Sequence, residues 1–518
     1  MVNASIHLDP TEWRTILARL RRAKLLAGED LHNPGHLDAH PLVREYFGEQ
    51  LRSQQTEAWK ECNRRLYHYY RTLAPQLPNS FREMEPLFSA VICGCHAGLF
   101  REGLHEIYIQ RIERGNAYFA ARVLGVRGAL LLVLAHFFEH GRWSSPVQIG
   151  AEGQSLTAED QLFILMQAGQ HLTAIRGSGA SEAELCYERA EFLAHSLNCP
   201  TILQLALVGQ WRHSFMTDRL SATMQIAERL YTLAQEQNDT LRLIGALAAL
   251  ACTLHSLGDF ETSGQYAMRG VQLWRSLGAK SPVVELDADA CTLLFFHSQF
   301  ELQTGENTAS HATLAEAISL AKELNDMHGL ASALCWAAGL AIAERNPAEV
   351  DRFASELIEL STRHNFVYYL TIGTIHRGWA RSVSGGTAEG IPWIEQGIRD
   401  IRATGTVLGM PYNLTLKAEA LHLADRTSEA LEAIDEAEAL VERFEQRNVL
   451  SRLHRLRGLF LAAFGAEETK IDASFCEAIR IAREQKSIFL EKRAEGTHAE
   501  YRRQKASASG GREFRLPL

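Results

Sequence analysis

An all-α fold, a right-handed superhelix of stacked helix hairpins, is predicted by three observations. Leu and Ala dominate the chain while Pro is scarce, 13 in 518 residues, so helix is favoured throughout. Helix-stopping dipeptides recur about every 40 residues through the second half, as expected where one hairpin cannot bury its apolar face alone. The composition is that of a globular chain, 46% hydrophobic and 22% charged, which is too apolar for a disordered one. A net charge of -9 argues against a nucleic-acid binder acting through its whole surface.

The first region covers residues 1–75. No basic segment precedes an apolar one at its start, which argues against a secretory leader. Thr11–Leu26 carries Trp13, Ile16, Leu17, Leu20, Leu25 and Leu26 on one helical stripe with a basic opposite face. Asp9-Pro10-Thr11 supplies its start, a capping side chain and a proline in the first turn. A loop at Ala27–Gly35 leads through His36 into a second helix ending near Leu51, and Glu57–Leu73 continues helical.

Residues 76–200 read as an irregular helical adaptor, punctuated by Pro78 and Pro86, a loop at Gly141–Gly153 and a break at Gly177-Ser178-Gly179. The most apolar run, Ala129–Phe138, is half the roughly 20 residues a membrane span needs, so it is expected as a buried helix and no membrane partner is expected.

Residues 201–504 repeat. The second helix of each unit stops at Asn238-Asp239, Leu277-Gly278, Asn325-Asp326, Asn365-Phe366, Thr404-Gly405, Arg447-Asn448 and Lys486-Ser487, giving steps of 39, 48, 40, 39, 43 and 39. The long step is expected to hold an extra turn around Lys280–Val284. Ala267, Ala317, Ala437 and Ala478 take the small position where two helices, 8–10 Å apart, leave no room for a branched side chain. Residues 505–518, rich in Ser and Gly and then basic and apolar, are expected to be disordered.

Catalytic patterns are missing. There is no H-E-x-x-H, no G-x-S-x-G and no G-x-G-x-x-G opening a helix. Nine scattered cysteines make no disulfide framework, and Cys93-Gly94-Cys95-His96 lacks the further paired ligands a metal needs. His136 and His140 stand four apart, as on one helix face, but without a third ligand. No catalytic residue, cofactor or metal is therefore expected, and the chain reads as non-enzymatic.

Three stretches carry family resemblances. Leu257-Gly258-Asp259-Phe260 followed by Ala267 resembles the turn and second helix of tetratricopeptide repeats. Leu37-Asp38-Ala39-His40-Pro41-Leu42-Val43-Arg44-Glu45-Tyr46-Phe47 is similar to the helix that ends the winged-helix domain of STAND-type signal-transduction ATPases, and Gly390–Gly458 looks like the C-terminal repeats of such regulators. The resemblance implies a winged-helix-like remnant within 1–75 followed by a sensing array. Yet no Gly-Lys dipeptide exists to end a phosphate-cradling loop, so the family's nucleotide-binding residues have no positions here. The chain then reads as a truncated or split form whose ATPase is encoded separately, that module being one expected partner.

Within such a superhelix the first helix of each hairpin lines the concave side. Trp211, His213, His255, His297, Trp336, Tyr369, His376, Trp379, Tyr412 and Arg455 are the candidate contacts for a protein or peptide partner in that groove, aromatic and Arg anchors being the usual sources of binding energy. The expected function is a protein-binding, effector-sensing arm of a signalling regulator. The alternative is a transcriptional regulator touching DNA through residues 11–51, where Arg19, Arg21, Arg22 and Lys24 cluster.

Overall fold

The computed structural model describes residues 9–28, 37, 39–148, 150–277, 284–324 and 326–507. Among them the β content is one isolated bridge, Phe138 to Pro146. The chain divides into two compact units, residues 1–171 and 172–518.

In the first unit, α1 (Pro10–Arg22) starts as its sequence predicts. Pro10 lies in the first turn, and Asp9 and Glu12 cap reciprocally. α2 (Pro41–Gln54) is capped by His40, whose Nδ1 accepts from the Leu42 amide at 3.3 Å. Its apolar residues Leu42, Tyr46 and Phe47 are exposed. α3 (Thr56–Leu73) and α4 (Phe81–His96) pack closely because Gly94 lets the Tyr67 ring approach, where a Cβ would lie 3.1 Å away. The short turn α5 (Phe100–Glu102) runs into a π-helix, Gly103–Ile112. From it Arg111 reaches back to the carbonyls of Arg71, Ala74, Pro75 and Gln76, which satisfies the end of α3 and the turn after it.

The apolar run departs from expectation. After α6 (Phe119–Arg122), α7 spans only Arg127–Leu134, because the chain turns extended at Phe138 to bridge Pro146. His136 lies in the 3₁₀ turn Ala135–Phe137 and His140 in the next one at φ 53°, so the two histidines do not share a helix face.

α8 (Ala158–Arg176) leads into the second unit, where α9 (Ser181–Ser196) follows the break at Gly177–Gly179. From there the hairpins are regular. Their first helices are α10 (Pro200–Thr217), α12 (Thr240–Leu257), α14 (Val284–Thr304), α16 (Met327–Ala343), α18 (Val367–Val383), α20 (Met410–Leu423) and α22 (Leu450–Phe464). Their second helices are α11 (Leu220–Glu236), α13 (Phe260–Ser276), α15 (Asn307–Glu323), α17 (Pro347–His364), α19 (Thr387–Ala403), α21 (Thr427–Phe444) and α23 (Glu468–Glu484). α24 (Ile488–Ser507) takes a first-helix place at the end of the array, its last three residues, Lys505, Ala506 and Ser507, belonging to the stretch expected to be disordered. The rest of that stretch and most of Lys280–Val284 lie outside the described residues. Part of the 48-residue step is explained by α14 itself, which runs 21 residues.

The alanines of the second helices fit their role: Ala267, Ala317, Ala437 and Ala478 are all 0% exposed. First helices pack on the first helices of the next hairpin, so they form the inner layer of the stack. The stack curls until early hairpins meet late ones. The amide of Val407 donates to the Met216 carbonyl at 2.8 Å, Glu445 accepts from Arg219 Nη2 at 3.0 Å and from the Ser221 amide at 2.8 Å, and Ser487 bonds Gln303. One apolar cluster runs from Cys291 on α14 to Tyr501 on α24.

Candidate functional site

The inner layer of the second unit holds a charged cluster that its apolar helices would not suggest. Glu419, on α20, is 0% exposed. Its Oε2 accepts from Trp379 Nε1 at 3.0 Å and from Arg345 Nη1, and its Oε1 accepts from Arg452 Nη2 at 2.6 Å. Burial alone would raise this carboxyl. The Arg452, Arg345 and Arg455 guanidiniums outweigh it and hold the group down at about 2.

Each arginine is placed by a different element. Arg345 follows α16 and lies over the Trp379 ring, 5.1 Å from its centroid. Arg452, on α22, lies 5.1 Å over the Tyr412 ring and donates from Nε to Thr415 Oγ1 at 3.0 Å. Arg455, three residues on, is 2% exposed. Arg493 comes from α24 and donates to the Ala343 carbonyl at 2.6 Å. Burial and then the neighbouring Arg493 pull Arg455 well below the usual arginine range; burial and Arg452 push Arg493 down to about 10.

Of the sequence candidates, the fold brings four to this cluster: Trp379 and Arg455 as members, Tyr412 beneath Arg452, and His376, whose ring centroid is 6.5 Å from that of Tyr412. His376 is buried, which pushes it down to about 4. Tyr369 stands against His328 instead, ring centroids 5.2 Å apart. The others lie in earlier hairpins. Trp211 stacks on Phe215 and donates to Thr253 Oγ1 at 3.1 Å; Trp336 stacks on Phe295. His213 Nε2 lies 3.1 Å from Glu184 Oε2, and His297 lies 3.9 Å from Glu301. His255 sits between Phe260 and Phe296 and is held down at about 4 by burial. Trp379, His376, Arg455, His255 and His213 are all buried. The expected open concave face is covered at these positions because inner helices pack on one another.

The residue pattern alone does not single out Glu419, Arg345, Arg452 and Arg493. A carboxylate inside NLTLKAEAL, where nearly every neighbour is apolar or small, was the available signal.

An open groove of about 870 Å³ lies instead where early and late hairpins meet, between the turn at Gly258, helix α21 and helix α23. Seven carboxylates, Asp259, Glu261, Glu438, Glu442, Glu445, Glu477 and Glu484, line it against Arg219, Arg447, Arg480 and Lys486. Several pair off: Glu445 with Arg219, Glu261 with Lys486, and Arg480 with both Glu477 and Glu484. Exposed Glu442 has no ion-pair partner among the described residues, and the lining is net acidic.

The family described as anaphase-promoting complex subunit 5 matches residues 276–344 and 449–490, stretches that cover helices α14–α16 and α22–α23. An uncharacterized protein of Rhizobium meliloti (strain 1021) is 26% identical over 245 residues, 46% of this chain; the match spans 23% of that relative's length. Among solved structures, NprR in complex with its cognate peptide NprX aligns with a TM-score of 0.46 at 14% identity, over 68% of this chain and 95% of that one. A Rap protein complexed with competence and sporulation factor aligns at 0.42 with 11% identity, over 64% and 99%. A STAND protein with a tetratricopeptide repeat sensor from Pyrococcus horikoshii aligns at 0.35 with 12% identity, over 86% and 72%.

Proposed function

We propose that the chain is a non-enzymatic, protein-binding module, the effector-sensing arm of a STAND-type signalling regulator, and that it takes a basic segment of its partner in the groove beside Gly258. The groove carries this reading. Its volume is that of a ligand site, its lining is net acidic, and exposed Glu442 offers a carboxylate that no described residue neutralises. The hairpins on its two sides are far apart in sequence, so an occupant would bias how the stack curls. That requires different affinities for two arrangements. The His40–Phe47 helix is present as α2 with its apolar side exposed, which supports a further partner at that end, a separately encoded ATPase module.

Titration of the chain with a Lys/Arg-rich dodecapeptide tests the reading. Saturable binding is expected, weakening at least tenfold in a Glu442→Lys, Glu484→Lys double variant of unchanged melting temperature. Equal binding by the double variant removes the groove from consideration. ATP turnover above that of a heat-killed control would overturn the non-enzymatic assignment.

Contact with DNA through residues 11–51 is the second reading, favoured by Arg19, Arg21 and Arg22 in the last turn of an α1 that buries none of its residues. It demands a steep fall of affinity with salt, since phosphate contacts release counterions. A flat salt titration eliminates it.

A further inference from the structure

Four guanidiniums converge inside the second unit on one carboxylate, and that carboxylate is used up. Glu419 spends one oxygen on Arg345 and Trp379 and the other on Arg452. Among the described residues, Arg455 and Arg493 are left without an acid of their own. Glu419 is the one carboxylate among the charges acting most strongly on either of them. Arg455 makes a long 3.4 Å bond from Nη1 to Thr497 Oγ1, while its buried Nη2 has no partner among the described residues. A buried cation is ordinarily paired, and a guanidinium edge left open matches an oxyanion in shape and charge.

The backbone gives a second sign. The turns that close the hairpins place Gly258, Gly305, Gly385 and Gly465 at positive φ, and Arg345 after α16 and Asp425 after α20 hold the corresponding places, each at φ 60°. A residue with a Cβ in that region is disfavoured, and the side chain of Arg345 goes to Glu419.

We infer that the inner layer of the second unit binds an oxyanion, a carboxylate or phosphate group, between Arg455 of α22 and Arg493 of α24, with Arg345 and Arg452 held in place beside it by Glu419. Arg345 and Arg493 are only partly buried, so the site is reachable from their side. The bound group would tie α24 to α22 through charge as well as packing. This inference is independent of the acidic groove, whose occupant has the opposite sign.

Calorimetric and thermal-melt titrations of the full chain at constant ionic strength provide the test, with orthophosphate in one arm, acetate in a second and added chloride as the control. Saturable binding and a rising melting temperature are expected with phosphate or with acetate. Phosphate alone points to a phosphorylated ligand or free phosphate, and acetate alone to a carboxylic acid or peptide terminus. Arg455→Met should weaken that binding at least tenfold without lowering the melting temperature measured in chloride. Arg493→Gln, at a partly exposed position, serves as the second variant and should weaken it likewise. No saturable response to either anion, or an undiminished response in both variants, overturns the site.

Discussion

At the scale of single residues, the second unit is governed by where Glu419 finds its partners. Replacing it by Gln keeps the volume but leaves Arg345 and Arg452 inside without their charge. Breaking a buried pair this way costs about 3–5 kcal/mol, measurable by urea denaturation. The same carboxyl creates a pH dependence of known sign. Its folded value of about 2 lies below the roughly 4.3 of an unfolded Glu, so its contribution is present above pH ~4.3 and fades as pH falls toward 2. His255 and His376 act in a higher window. Each is held down at about 4, against roughly 6.5 when unfolded, so between these values the unfolded chain takes up protons that the folded one refuses. Stability should therefore decline from pH ~6.5 to 4, then decline further below it. A Glu419→Gln variant should shrink the lower step and keep the upper one. Little of this was legible in the sequence. The chemistry of Trp379 and Arg455 marks them as candidates, but a superhelix read one hairpin at a time does not show that α16, α20, α22 and α24 converge.

Elements were far more legible, because helix ends have local chemistry. Each of the stop dipeptides at 238, 365, 405 and 486 contains or adjoins a residue at positive φ, namely Asn238, Asn365, Gly405 and Lys486, and the stop after α21 turns at Glu445 just before it. A second ruler, unnoticed in the sequence, is steadier. The turns within hairpins pass through positive φ at Gly305, Arg345, Gly385, Asp425 and Gly465, 40 residues apart each time. Arg345 and Asp425 hide it from anyone looking for glycine alone. The run Ala129–Phe138 reads as helix to its end because an apolar run says nothing about the extended turn that Phe138 needs to meet Pro146. The element-scale prediction falls on Ala437, fully buried in mid α21. Ala437→Pro removes a helical hydrogen bond and sets a ring against the preceding turn, costing about 3 kcal/mol or more, which a lowered melting temperature will report.

At the scale of the whole second unit, the stack departs from a simple linear array. In such an array each repeat feels only its neighbours. Here Ser487 bonds Gln303 across 184 residues, Arg493 reaches Ala343, and Glu445 holds the start of α11. Ser487→Ala should therefore speed amide hydrogen exchange in α14, far from it in sequence, as well as in α23 and α24. Faster exchange confined to α23 and α24 would mean that these cross-contacts carry no coupling. The curl that produces them was beyond the sequence, since it accumulates from small rotations at every hairpin and no single motif encodes it.

Those cross-contacts also bear on how the polypeptide is made. The inner face of α14 obtains its last neighbours only from α24, so during translation it must wait, uncovered and greasy, until nearly two hundred further residues have left the ribosome. Nascent chains halted before Ser487 should depend on chaperones to stay in solution, and those that have cleared Arg493 should be released from that dependence.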